Sequence, residues 1–377
     1  MRSVKKIKVL ENIPVLVRTA LNVPVANGEV TGAFRLRRAL PTIEYLRKKH
    51  ARVILIGHIG EKGTETLEPV YEAMREMIPG LAFCPVSTGA RAREAIRQLA
   101  PGGVLMLENL RRDKGEVGND PKFARELAEL ADIFVQDSFD VCHRSHASVV
   151  GVPSLLPSYA GFLVEEEVKQ LSKALKPKNP SLAIIGGAKF STKEPVLKRL
   201  LASYSRVYVG GALANDFMQV SGKPVGSSLV SGADPKELKM LLGDRKLALP
   251  LDYVVAPLGG MRDAGRLTRT NDVRPNEAIL DNGPDTLAML AERMKKAKTV
   301  LWNGPLGNYE NGFTEGTEAL ARIIATSKAH SIVGGGDTVA AIGKLKLDAK
   351  FSFISTGGGA MLDFLAKGTL PGLDALD

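Results

Sequence analysis

At 377 residues the chain exceeds the length that one hydrophobic core usually serves, so two domains are expected. Hydrophobic residues make up 44% of it and the mean hydropathy is −0.01, ample material for buried cores. Lys and Arg number 51 against 41 Asp and Glu, a net charge of +10 and a pI near 9.4, which favours acidic partners. The cations are dispersed among acids and aromatics are only 5%, which argues against a nucleic-acid reader built on a basic stripe and stacking residues.

Cys84 and Cys142 are the two cysteines, far apart in sequence, so a reducing compartment is expected and no disulfide framework. The opening stretch MRSVKKIKVLENIPVLV lacks the long apolar core of a signal peptide. No later stretch is apolar for the roughly 18 residues that a membrane span needs. The expectation is a soluble, cytoplasmic protein with neither a membrane nor a nucleic acid as partner.

Short runs rich in Val, Ile and Leu recur along the chain, most ending in glycine or polar residues before a helical pattern. In the first half they cover 15–17 (ending at Arg18), 53–56 (ending at Gly57 and His58), 104–107 (ending at Glu108 and Asn109) and 133–135 (ending at Gln136 and Asp137). Helices are predicted over 35–49 and 121–131. The segment 151–180, with Pro153, Pro157, Pro177 and Pro180, reads as a crossover whose middle, 163–175, has the apolar spacing of one connecting helix. In the second half the runs cover 182–185 (into GGAK), 207–209 (into GGALAN), 253–255, 300–301 (into WNGPLG), 332–333 (into GGGDT) and 351–354 (into STGGG), with a helix over 286–297. Fully apolar strands alternating with helices imply α/β architecture, with parallel sheets covered on both faces and one sheet in each half.

Ligands of such sheets bind beyond the carboxyl ends of the strands, and there the two halves differ. The first offers cations: Arg18, Arg35, His58, Arg111, Arg112, His143, Arg144 and His146. Arginine's planar fork matches phosphate and carboxylate, so the cluster suits a ligand carrying both. The second offers glycines with Lys189 and Lys193. Its stretch 331–344, SIVGGGDTVAAIGK, reads as a buried strand, a tight loop and a helix start. That is an anion cradle, in which glycines let backbone N–H groups approach phosphate and Asp337 can hold a bridging divalent cation. The spacing matches neither the dinucleotide fingerprint nor the lysine-bearing P-loop. An anionic small molecule on one domain and a nucleotide polyphosphate on the other propose phosphoryl transfer.

From about residue 15 to residue 376 the chain resembles the phosphoglycerate kinase family. The likeness is carried, in order, by RxxxNVP from Arg18, GHIG, LENLR, HRxHAS, GFLVEEE, GGAKFSTK, NGPLGNYE with GT shortly after, GGGDT, STGGGA and LPGLDAL. The resemblance implies two doubly wound, Rossmann-like parallel-sheet domains joined by a hinge helix. Residues 1–160 would form the basic 3-phosphoglycerate domain, 161–176 the connecting helix and hinge, and 177–365 the nucleotide domain, with 366–377 returning to the first. The implied reaction carries a phosphoryl group between 1,3-bisphosphoglycerate and MgADP, giving 3-phosphoglycerate and MgATP, in a monomer whose lobes close to exclude water. By the same resemblance Arg18, Asn22, Arg35, His58, Ile59, Gly60, Arg111, His143, Arg144 and His146 surround the triose phosphate. Lys189, Lys193, Gly211, Gly283, Asn303, Pro305, Glu310, Gly335, Gly336, Asp337 and Thr338 form the nucleotide site, with Glu310 on the ribose and Asp337 on Mg2+. Arg35, Lys189 and Lys193 would surround the phosphoryl group in flight. A departing carboxylate of pKa about 4 is a weak base and the attacking ADP oxygen is already ionised, so no general acid or base is demanded.

Two positions depart from the family's pattern: Ala20 stands where it has Asp, and Glu61 where it usually has Arg. The first removes a hydrogen-bond acceptor for the glycerate hydroxyl and the second reverses a charge beside the phosphate pocket. They support an alternative, a kinase-like protein that binds without much turnover, which intact Lys189, Lys193 and Asp337 speak against. A nicotinamide-dependent oxidoreductase is undercut by the missing G-x-G-x-x-G. A zinc cluster of Cys142, His143 and His146 with His58 has loose spacing and no second Cys-x-x-Cys.

Overall fold

The computed structural model describes residues 1–257, 259–260 and 265–377. They divide into two compact units, Met1–Lys169 with Thr369–Asp377, and Gln170–Gly368, the division falling inside the helix Phe162–Leu175.

The first unit holds a six-stranded, all-parallel sheet in the order Leu81–Cys84, Val104–Leu107, Arg52–Ile56, Pro14–Thr19, Ile133–Asp137, Ser158–Ala160. Pro14–Thr19 is central because it is buried on both faces: Val15, Leu16 and Val17 have no exposure. One face is covered by the helix Phe34–Lys48, whose Leu36, Ala39, Ile43 and Leu46 recur at helical spacing and join Val17, Leu55 and Met106 in one core. From the central strand the chain builds outward to one side and then crosses back to Ile133–Asp137, so the strand order reverses beside Arg18. Asp137 ends its strand by accepting from the Leu163 amide (2.9 Å), while Thr42 Oγ1 accepts from the Phe162 amide (2.9 Å); together they cap the helix Phe162–Leu175.

The second unit repeats the architecture in the order Leu247–Ala248, Arg206–Val209, Ser181–Ile185, Thr299–Asn303, His330–Gly334, Phe353–Ile354, all parallel. Its reversal lies between Ser181–Ile185 and Thr299–Asn303. One expectation needs correction: the run 253–255 is not another parallel strand. Asp252–Pro257 is the middle of a three-stranded antiparallel sheet, between Arg266–Arg269 and Glu277–Asn282. Tyr253 and Val255, two apart and so on one face, pack with Met218, Val225 and Val273 in a core of their own. Among the described residues no helix is long and apolar enough to cross a membrane.

Candidate phosphate and nucleotide sites

In the first unit Arg18 is fully buried near the end of the central strand. Its Nε donates to Ser148 Oγ at 2.9 Å, Nη1 to the Thr19 carbonyl at 3.0 Å and Nη2 to Nδ1 of His58 at 3.0 Å. Ser148 Oγ donates onward to Glu116 Oε1 at 2.6 Å and the Ser148 amide to Glu116 Oε2 at 2.9 Å. Glu116 has no exposure, so a buried carboxylate offsets a buried guanidinium. Burial lowers the Arg18 pKa, and the charges of Glu116 and Asp140 oppose that shift. His58 is held well below the usual imidazole range by burial first and then by Arg18, Arg111, His146 and Arg35. His146, 7% exposed, is lowered to about 4 by burial and then by Arg111, Arg18 and Arg144.

Around this buried group the loops close on one another. Asn22 Oδ1 accepts from the Gly60 amide (3.2 Å), and the Asn22 carbonyl accepts from Arg35 Nη1. Gly60, at φ +69°, gives its carbonyl to Arg111 Nη1 at 2.7 Å. The Asn109 side chain accepts from the Ile59 amide (3.3 Å) and donates to the carbonyls of Ile59 and Glu65 (2.9 Å each). The structure therefore gathers Asn22, Arg35, His58, Ile59, Gly60, Arg111 and His146 around the carboxyl ends of the central strands. His143 is half-buried and Arg144 exposed on the same segment as His146. Ala20 is fully buried and Glu61 is exposed.

The second unit's site is built from backbone. Gly187, at φ +96°, donates its amide to the Pro305 carbonyl (3.1 Å), and the Gly186 amide reaches the Asn303 carbonyl (2.8 Å). A Cβ on Gly186 would sit 2.1 Å from the Pro305 carbonyl oxygen, so only glycine permits these two strand ends to touch. Lys193 folds back over this junction, its Nζ donating to Asn303 Oδ1 at 3.0 Å, and burial lowers its pKa to about 8. Asn303 also donates weakly from Nδ2 to the Gly358 carbonyl (3.4 Å), drawing in the start of the helix Gly358–Lys367. Gly335, at φ +104°, precedes the helix Gly336–Lys344, which carries Asp337 half-buried in its first turn. Burial and then Glu310 raise the Asp337 pKa. Next to it the Thr338 hydroxyl is buried with no hydrogen-bond partner among the described residues.

The remaining predicted residues differ in their settings. Lys189 and Glu310 are exposed. Gly211 takes φ +64°, and a Cβ there would meet the Gly187 amide nitrogen at 2.8 Å. Gly283 lies against Asp252, whose carboxylate accepts from the amides of Asp285 (2.9 Å) and Thr286 (2.8 Å) and so caps the helix Pro284–Met294. Among the described residues no group of three or more His, Cys, Asp or Glu side chains is placed to hold a metal ion by itself. Sequence reasoning passed over Glu116 and met Ser148 only as the last residue of HRxHAS, with no role assigned. Their roles rest on partners 32 and 130 residues away in sequence.

A doubly wound fold with a cationic pocket in one unit and a glycine-built, lysine-bearing strand junction in the other defines the class of a phosphotransferase. The family model described as phosphoglycerate kinase matches residues 4–368, and the chain belongs to that family. It is 44% identical to the phosphoglycerate kinase of Thermus thermophilus over 96% of each chain. It is 43% identical to that of Moorella thermoacetica over 97% of each. Among solved structures it is similar to phosphoglycerate kinase from Pyrococcus horikoshii (TM-score 0.90, 30% identity, covering 100% of this chain and 98% of that one). The corresponding values for the Coxiella burnetii enzyme are 0.83, 37%, 99% and 98%.

Proposed function

We infer that the chain catalyses the reversible transfer of a phosphoryl group from 1,3-bisphosphoglycerate to MgADP, giving 3-phosphoglycerate and MgATP, the phosphoglycerate kinase step of glycolysis and gluconeogenesis. The observation that carries this reading is Lys193, a half-buried, partly desolvated cation held by Asn303 over a junction of glycine backbones at the reversal of the strand order. A phosphoryl group in flight spreads negative charge over its equatorial oxygens, and a desolvated ammonium stabilises that charge more than a solvated one does.

The triose phosphate is assigned to Arg35, Arg111 and Arg144 with Asn22, His58, Ile59, Gly60, His143 and His146, and Arg18 beneath them. The nucleotide is assigned to Lys193, Gly211, Gly283, Asn303, Pro305, Glu310 and the run Gly335, Gly336, Asp337, Thr338. Lys189 joins Arg35 and Lys193 around the transferring group. Asp337 and the unpartnered Thr338 hydroxyl fit a magnesium ion that arrives with the nucleotide, since a cation relieves a carboxylate whose ionisation burial and Glu310 oppose. When bound, that ion neutralises phosphate oxygens. Transfer requires donor and acceptor to come within bonding reach, so the helix Phe162–Leu175 is proposed as the hinge of a monomeric, cytoplasmic enzyme whose units close on their ligands.

The test is turnover of MgATP with 3-phosphoglycerate in a coupled assay. Turnover in the natural chain that Lys193→Ala abolishes supports the reading. No turnover, restored by Ala20→Asp with Glu61→Arg, would make this a binding protein.

A further inference from the structure

The buried hydrogen bonds behind the cationic pocket run in one direction only. A guanidinium cannot accept, so Arg18 Nε donates to Ser148 Oγ and Arg18 Nη2 donates to His58 Nδ1. Ser148, having accepted from Arg18, turns its own proton to Glu116 Oε1, at 2.6 Å. At the other end His58 Nδ1 must carry a lone pair, which leaves the ring proton on Nε2. Nε2 makes no hydrogen bond among the described residues.

We propose that Glu116, Ser148 and Arg18 are a positioning relay that fixes His58 as the neutral Nε2–H tautomer, so that the pocket presents a single oriented N–H donor to the anionic substrate. Arg18, read from sequence as a direct ligand, then acts through His58. Its three nitrogens are each engaged inside the protein and it has no exposure, so it supplies orientation and charge from below while Arg35 and Arg111 supply forks from the loops. Glu116 is what allows a guanidinium to sit there, because an uncompensated buried cation would be costly. The other charged and titratable groups that face His58 are Arg111, His146 and Arg35, all cations or groups that become cations. They oppose a second proton on the ring, which agrees with the neutral form that the Arg18 bond requires.

The proposal rests on the kinase reading for the identity of the anion and is tested apart from it. In the natural protein, ring-nitrogen NMR of His58 at pH 7 is expected to show a protonated Nε2 and a bare Nδ1. An imidazolium, or the Nδ1–H tautomer, would overturn it whatever the enzyme turns over. Ser148→Ala removes the link between Glu116 and Arg18 with little change of volume. It is expected to move the His58 ring-nitrogen signals and to raise KM for 3-phosphoglycerate by five- to twentyfold, with a smaller effect on kcat and none on KM for ATP. Unchanged His58 signals and KM would refute the relay. His58→Gln, whose amide N–H stands close to where Nε2–H was, should keep KM within about threefold of the natural value. His58→Asn, which cannot reach, should raise it at least tenfold; equal losses in the two would refute the assigned donor. Circular dichroism and melting curves on each variant separate these outcomes from a failure to fold.

Discussion

The two units build their proposed phosphate sites, each beyond the end of a parallel sheet, from opposite materials. The first uses side chains aimed by other residues: Arg35 by the Asn22 carbonyl, Arg111 by the Gly60 carbonyl, and neutral His58 by Arg18. The second uses main chain: Gly186, Gly211 and Gly304 bring loops and strand ends so close that backbone atoms occupy the space of the missing Cβ atoms. Side-chain sites carry charge and shape for a particular small anion, whereas amide sites accept any polyphosphate that fits the backbone. On the function proposed above, this would place specificity in the first unit and the general chemistry of nucleotide phosphate in the second.

The sharpest way to break this division is to remove the half-buried Lys193 from the backbone site. Lys193→Ala should lower kcat by roughly 10²- to 10³-fold or more, since it deletes a charge aimed at the transferring group in a desolvated setting. In the natural enzyme the Lys193 ammonium, lowered to about 8, loses its proton as pH rises. The pH profile of kcat/KM for the nucleotide should accordingly fall above about pH 8. A flat profile would move the essential charge elsewhere. Next in size comes Gly186→Ala. Its Cβ would meet the carbonyl oxygens of Pro305 at 2.1 Å and Gly304 at 2.7 Å, which are backbone atoms and cannot swing aside. Overpacking of this kind costs about 2 kcal/mol or more, a fall in Tm of about 4–8 °C by calorimetry, with weakened nucleotide binding. The corresponding addition at Gly336, where a Cβ meets nothing within 4 Å, should leave Tm unchanged.

A smaller effect separates the units by pH. His146 in the folded chain is lowered to about 4 from the usual 6.5. Between those values the unfolded chain binds more protons than the folded one, so the stabilisation is complete above about pH 6.5 and is lost as pH falls toward 4. After allowance for relaxation of the surrounding charges this amounts to about 1–2 kcal/mol. His58 adds to it in the same direction. Asp137, whose pKa burial raises well above the usual range, works in the opposite direction as pH falls, so the comparison is best made against His146→Gln. The difference in Tm between the two proteins should change by about 2–6 °C between pH 7 and pH 4.5. A constant difference would place His146 in solvent.

The strand runs were legible because both faces of each sheet are covered, which turns buried strands into unbroken apolar words such as Val15, Leu16, Val17. The glycines and lysines of the second site were legible because backbone sites write their requirement into residue type at one place in the chain. What could not be read was long-range. Asp252 caps a helix more than thirty residues on, Glu116 reaches Ser148 across 32 residues, and Asp252–Pro257 finds antiparallel partners that its own pattern does not announce. Short edge strands such as Leu81–Cys84 carry too few residues to show a period.

The same contrast gives the two departures at Ala20 and Glu61 different consequences, although both sit in the side-chain site. Glu61 is exposed, and its charge acts on Arg111, which also feels Arg18 and Arg144. Glu61→Arg exchanges an acid for a cation at the rim of a pocket that attracts anions. It should lower KM for 3-phosphoglycerate about three- to tenfold, an effect that fades as salt is raised from about 0.05 to about 0.5 M. Ala20 has no exposure, so Ala20→Asp buries a new carboxylate, and the substitution should lower Tm even where it improves binding. A salt-independent gain at residue 61 would mean a direct, desolvated contact with the ligand. No gain would mean that the Arg111 fork, already oriented by Gly60, holds the phosphate without help from the rim.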